Sequence, residues 1–193
     1  MLAMTILFDY TSYMLLKNGL ISTASYYPSP NFDERPKGID VSLLVIHGIS
    51  LPPGIFGTED VKDFFCNQLN THKHPFFKSI AYMKVSSHLF IRRDGGLWQF
   101  VPLHLRAWHA GESEFKGVKN CNDFSIGIEL EATDTLPYTC EQYIQLANTT
   151  KLIMQFYPSI TWDNIKGHCD IAPQRKTDPG SLFDWEYYNK LIV

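Results

Sequence analysis

The stretch DFSIGIELEATD, residues 123–134, sets Phe124, Ile126, Ile128 and Leu130 in alternation with Ser125, Gly127, Glu129 and Glu131. A period of two is the repeat of an extended strand, whose successive side chains leave opposite faces. It predicts a half-buried β-strand with one apolar face and both glutamates on the other. Glu131 is expected to be solvated near the strand end. Glu129 lies mid-strand among apolar neighbours, where an unpaired carboxylate is costly. Either it meets a cation or a metal-bound water, or its face of the sheet is open to solvent.

The rest of the chain must supply partners for such a strand. VSLLVIHGIS (41–50) is an apolar, β-branched run that predicts a buried strand ending on His47. SSHLFIRRDGGLWQFVP predicts two strands around a turn at Asp94-Gly95. TEDVKDFFCNQL (58–69) has apolar residues at 61, 64, 65 and 69, a helical spacing, with Thr58 as its N-cap. TCEQYIQLANTTKLIMQFYP (139–158) opens with Thr139 and Gln142 in capping-box positions. Its stripe is Tyr143, Leu146, Ile153 and Phe156, and Pro158 stops the helix. The C-terminal FDWEYYNKLIV predicts a short amphipathic helix, and YYPSPNFDERPKG (26–38), with Pro28, Pro30 and Pro36, an extended surface segment. Interleaved strands and helices with an antiparallel hairpin make an α/β or α+β chain, a mixed sheet covered by helices.

At 193 residues the chain suits one domain with a sizeable core. Its formal net charge of -3 gives no electrostatic reason to expect nucleic acid. The four cysteines show no CxxC pair, which favours reduced thiols over a disulfide scaffold. The apolar N-terminus is interrupted by Asp9 and no basic residue precedes it, so neither a signal peptide nor a membrane span is predicted. A cytoplasmic protein without membrane or nucleic-acid partners, and a monomer, is expected.

KGHCDIAPQRKTDPG (166–180) crowds His168, Asp170, Arg175, Lys176 and Asp178 into a segment that Pro173 and Pro179 keep from being one helix. Such a loop suits a site. None of the seven histidines forms an HExxH pair, so a metal site would have to draw on separate elements. His47, at the end of a buried strand, is the best starting ligand. Each residue also has an ordinary role open to it: His47 as a core histidine, His168 as a loop histidine, Lys176 and Asp178 as an exposed ion pair.

Taken together, LLVIHGISLPPGIFG, HPFF, SSHLFIRRDGGLWQFVP, RAWHAG, CNDFSIGIELEATDTLPYT and GHCDIAPQRKTDPG resemble, in order and spacing, the zinc-dependent N-acetylmuramoyl-L-alanine amidases. The likeness is greatest to the AmpD-type 1,6-anhydro-N-acetylmuramoyl-L-alanine amidases of cytoplasmic peptidoglycan recycling. It runs from about Met14 to the C-terminus. The resemblance implies a single-domain mixed sheet flanked by helices, shared with T7-type amidases and peptidoglycan recognition proteins. It implies His47, His168 and Asp178 as zinc ligands, and Glu129 and Lys176 as catalytic side chains. The implied substrate is a small anhydro-muramoyl peptide, cut between its lactyl group and L-alanine. Lys84 and Arg175 are candidates for the stem-peptide carboxylates, and His109, beside Trp108, for the sugar end of the cleft. His88 is expected to be a packed strand histidine, and Asp170 is the second choice of acidic ligand.

The chain departs from the family in Gly48, where asparagine is usual, which removes an amide that could touch substrate. Residues 1–13 lie outside the resemblance, as an upstream start-site artefact or an apolar extension. Two other readings are an amidase acting on polymeric cell wall and a binding module that has lost catalysis; the full set of five residues argues against the latter.

Overall fold

The computed structural model describes residues 14–193, so the expected N-terminal extension over 1–13 lies outside the described residues. Six strands share one sheet: β1 (Ser25–Tyr26), β2 (Leu43–Ile49), β3 (Leu89–Ile91), β4 (Leu97–Gln99), β5 (Ser125–Glu131) and β6 (Ile165–Gly167). Their order is β6-β2-β5-β3-β4-β1. The strands β6, β2, β5 and β3 run parallel, and β3 and β4 form the antiparallel hairpin predicted around Asp94-Gly95. The sheet is mixed, as the sequence predicts.

Alternation decides the faces. In β2 and β5 the even-numbered residues Leu44, Ile46, Ile126, Ile128 and Leu130 join the largest core cluster. That core is closed by α3 (Cys140–Phe156) and α5 (Trp185–Ile192), which pack on each other. Thr139 and Gln142 make the predicted capping box on α3, and the Thr150 and Tyr188 hydroxyls, 2.6 Å apart, tie the two helices inside the core. Burying side chains such as Ile128 or Leu146 contributes roughly 1.5–3 kcal/mol each. The odd-numbered face of β2 carries Leu43 and Val45 against Ala110, Cys121, Phe124 and Ile171, and His47 follows on the same face.

Several expectations are corrected. The second face of β5 is largely covered: His109, from the chain between β4 and β5, lies against Gly127, and turns at Gly57 and Arg93 cover Glu131, while Glu129 lines a cleft. Glu131 is 3% exposed and accepts from the backbone N–H of Gly57 (2.5 Å) and Arg93 (3.0 Å). Segment 26–38 is a mostly exposed surface segment, as expected, but it is anchored at Ser29 and Asn31, which are buried; the Asn31 amide donates to the carbonyls of Phe65 and Val85. The helix expected over 58–69 is shorter, α1 (Asp60–Phe65), because Asn67 turns left-handed at φ 58°, and a single-turn α2 (Phe77–Ile80) follows it. Thr58 Oγ1 still receives the Asp60 N–H, but Glu59 occupies the cap position. Phe156, placed on the α3 stripe by spacing, is 53% exposed at the helix end. Among the described residues no helix is long and apolar enough to cross a membrane, and the four cysteines are unpaired.

Candidate active site

Strand register builds the site. Glu129 of β5 pairs directly with His47 of β2. On the other side Gly167 of β6 pairs with Ile46, so His168, the next residue, comes level with His47. Glu129, His47 and His168 thus form a row across three adjacent parallel strands at their carboxyl ends, where parallel sheets commonly bind ligands. His168 starts α4 (His168–Ile171), and Asp170 accepts the Gly167 N–H at 2.7 Å, a capping role. Beyond it the loop returns, and the Asp178 carbonyl receives the Cys169 N–H at 2.9 Å.

His47 Nδ1, His168 Nδ1 and Asp178 Oδ2 converge, at 3.0 Å between the two histidines and 3.2 and 3.1 Å to the aspartate. Among the described residues these three form the group able to hold a metal. The donor set itself tests the fit. His168 Nε2 lies 3.0 Å from the Ala110 carbonyl, which can only accept, so Nε2 carries a proton and Nδ1 is the nitrogen left to serve as a ligand. Burial and the neighbouring His168 hold His47 down at about 4, so it is neutral near pH 7. Burial pushes Asp178 up, but its contacts with His168 and His47 outweigh this and hold the carboxyl below the usual range. Facing lone pairs at such distances repel one another unless a cation sits among them. The separations are close to those between ligands on a tetrahedral ion with bonds of about 2.0–2.1 Å. The residues fit a divalent metal.

Beside this group Glu129 Oε2 is buried without a hydrogen-bond partner. Burial and the charge of Asp178 raise its pKa well above the ordinary range, opposed by Lys176. Glu129, Lys176 and Asp178 line a cleft of about 380 Å³ whose far wall is apolar, including Leu51, Phe64, Phe76 and Ile80. A mostly apolar cleft with a few convergent polar groups is the usual form of a small-ligand site.

The remaining predicted residues are spread around the site. Lys84 is exposed between Met83 and Val85, which do line the cleft. Arg175 Nη2 donates to the carbonyls of Ala110 (2.6 Å) and Glu112 (2.7 Å). His109 lies with Trp108 at the cleft wall, yet its Nδ1 is 2.9 Å from His47 Nε2. His88 is packed as expected, but directly before β3, accepting from the Gly127 N–H on Nδ1 and donating to the Leu105 carbonyl.

Sequence reasoning missed Tyr138, whose hydroxyl donates to the Pro179 carbonyl at 2.7 Å and so ties down the loop next to Asp178. A Cβ on Gly48 would come within 3.0 Å of that hydroxyl. The glycine at 48 therefore goes with the position of Tyr138. It also missed Gly127, although a glycine inside an alternating strand signals a close approach by another group.

A family model described as N-acetylmuramoyl-L-alanine amidase matches residues 37–181. A 1,6-anhydro-N-acetylmuramyl-L-alanine amidase, AmpD, of Escherichia coli K12 is 52% identical over 179 residues, covering 93% of this chain and 97% of the relative. The crystal structure of a selenomethionine AmpD derivative superposes with a TM-score of 0.91 at 51% identity, over 93% of this chain and all of the other. The E. coli amidase AmiD, solved with the substrate anhydro-N-acetylmuramic acid-L-Ala-D-γ-Glu-L-Lys, matches at a TM-score of 0.59 and 27% identity. That match spans 84% of this chain and 66% of AmiD.

Proposed function

The chain belongs to the N-acetylmuramoyl-L-alanine amidase family, and from that premise we propose that it is a zinc-dependent hydrolase of cytoplasmic peptidoglycan recycling. The bond cut joins the lactyl group of 1,6-anhydro-N-acetylmuramic acid to L-alanine in a free muropeptide. The amidase domain runs over 14–193. The observation that carries the reading is the row of Glu129, His47 and His168 completed by Asp178, in a chain 52% identical to an anhydro-muropeptide amidase.

His47 and His168 through Nδ1, and Asp178 through Oδ2, would hold the ion. A zinc ion there supplies Lewis-acid polarisation of the scissile carbonyl and acidification of a water. Zinc suits two imidazoles and a carboxylate in a site that leaves one position open. Glu129 Oε2, buried and without a partner, takes the proton from the attacking water and passes it to the departing alanine nitrogen. Lys176 brings its ammonium to the same cleft, where it stabilises the negative charge that develops on the carbonyl oxygen. The apolar wall of the cleft limits water around these charged groups, which strengthens both effects.

The test is mass spectrometry of anhydro-muramoyl tripeptide incubated with the protein, with and without a chelator. Release of intact tripeptide that the chelator abolishes is the expected result. Zinc-replete protein that leaves this substrate whole but cuts polymeric peptidoglycan overturns the recycling assignment.

A further inference from the structure

The segment Trp108-His109-Ala110 touches both histidines of the candidate metal group from behind. His47 offers Nδ1 to the group, and its other nitrogen, Nε2, lies 2.9 Å from His109 Nδ1. The two rings stand nearly perpendicular, at 88° with centroids 5.0 Å apart, so a ring nitrogen of one meets the edge of the other. His109 Nε2 in turn lies 3.0 Å from Ser125 Oγ. Next along the chain, the Ala110 carbonyl receives His168 Nε2.

The segment is itself built in. Asn122 Oδ1 accepts the backbone N–H of His109 (3.1 Å) and Ala110 (2.8 Å). Gly127 lies on the same face of β5 as Ser125 and Glu129, and a Cβ there would fall 2.5 Å from His109 Nδ1. The strand thus leaves a ring-sized gap, with a hydroxyl on one side of it for the ring's far nitrogen.

We infer that His109 is a positioning residue of the metal centre. Its Nδ1 accepts the Nε2 proton of His47 and so fixes the tautomer that keeps a lone pair on His47 Nδ1. Ser125 completes the relay by accepting the proton on His109 Nε2. Ala110 does for His168 what His109 does for His47. Partners of this kind on the far nitrogen of a ligating histidine set its orientation and basicity. This inference rests on the reading of His47, His168 and Asp178 as a zinc site, and assigns His109 a role distinct from sugar binding.

The experiment is zinc affinity of the full chain by competition with a chromophoric chelator, on wild type, His109→Leu, His109→Asn and Gly127→Ala. Thermal unfolding of each in excess chelator reports folding separately. His109→Leu removes the acceptor and is expected to weaken zinc by about 10–100-fold. His109→Asn places Oδ1 near the Nδ1 position and is expected to stay within a few-fold of wild type. Gly127→Ala, which drives the intact ring away, is expected to weaken zinc as His109→Leu does. In zinc-loaded wild type, ¹⁵N NMR should find the His47 proton on Nε2. Wild-type affinity in folded His109→Leu overturns the inference, as does an Asn variant no better than the Leu variant. Failure of wild type to take up zinc at all instead overturns the metal reading beneath it.

Discussion

His88 makes acid sensitivity a quantitative test of the packing behind the site. Its Nδ1 accepts the Gly127 N–H at 3.0 Å, and its Nε2 faces the Leu105 carbonyl at 3.0 Å and the Arg35 guanidinium at 3.3 Å. A proton added to Nδ1 would point at an N–H, beside a cation. Burial first, then Arg35, lower its pKa from 6.5 to about 3. The sign follows from which state binds the proton. Above pH 6.5 neither state does; between 6.5 and about 3 only the unfolded chain does, so stability falls as the pH falls. Each pH unit in that window costs about 1.4 kcal/mol, or about 2 kcal/mol between pH 7 and pH 5. The comparison is with His88→Asn, whose Oδ1 can still accept from Gly127 but cannot ionise. Urea unfolding of both proteins, in excess chelator so that metal loss does not enter, isolates the His88 contribution because the other ionisable groups are shared. With a slope near ~2 kcal/mol per molar urea, the wild-type midpoint should fall about 1 M further than the variant's between pH 7 and pH 5. Parallel midpoints would refute the reasoning, since they mean that folded His88 takes its proton as readily as the unfolded chain.

Other perturbations separate metal holding from proton transfer and from loop anchoring. Glu129→Ala should keep its zinc, read by elemental analysis, while turnover of anhydro-muramoyl tripeptide falls by at least about 100-fold; near-wild-type turnover would remove Glu129 from the chemistry. His168→Ala should lose both metal and activity, and one zinc per purified chain would contradict its place as a ligand. Tyr138→Phe leaves the buried Pro179 carbonyl without its donor and should cost about 1–3 kcal/mol in chemical unfolding. An unchanged midpoint would mean that the hydroxyl does not anchor the Asp178 loop.

The alternation in β5 and the apolar run of β2 were legible because they are local, and each strand lies within a residue or two of its predicted place. Their register was not legible: nothing in either stretch says that Glu129 pairs with His47 rather than with a residue two places away. Motif order supplied the association of residues 47, 168 and 178 that spacing alone could not. Glu131 was misread as solvated because its partners, the Gly57 and Arg93 amides, come from distant turns. The surroundings of His109 depend on Asn122, Ser125 and Gly127, whose meeting is a tertiary event. Gly127 alone carried a readable hint, a residue without a side chain in the middle of a strand.

The row across β5, β2 and β6 has a consequence for how the molecule comes into being. Residues 47, 129 and 168 are far apart along the chain and meet only when three parallel strands have paired. Such contacts close large loops and form late relative to local turns and helices. An ion therefore has no preformed nest in the nascent polypeptide and cannot nucleate the fold, as it does in small zinc modules. A zinc ion held by these residues would bind only after the sheet is assembled, acting by mass action on a protein already folded.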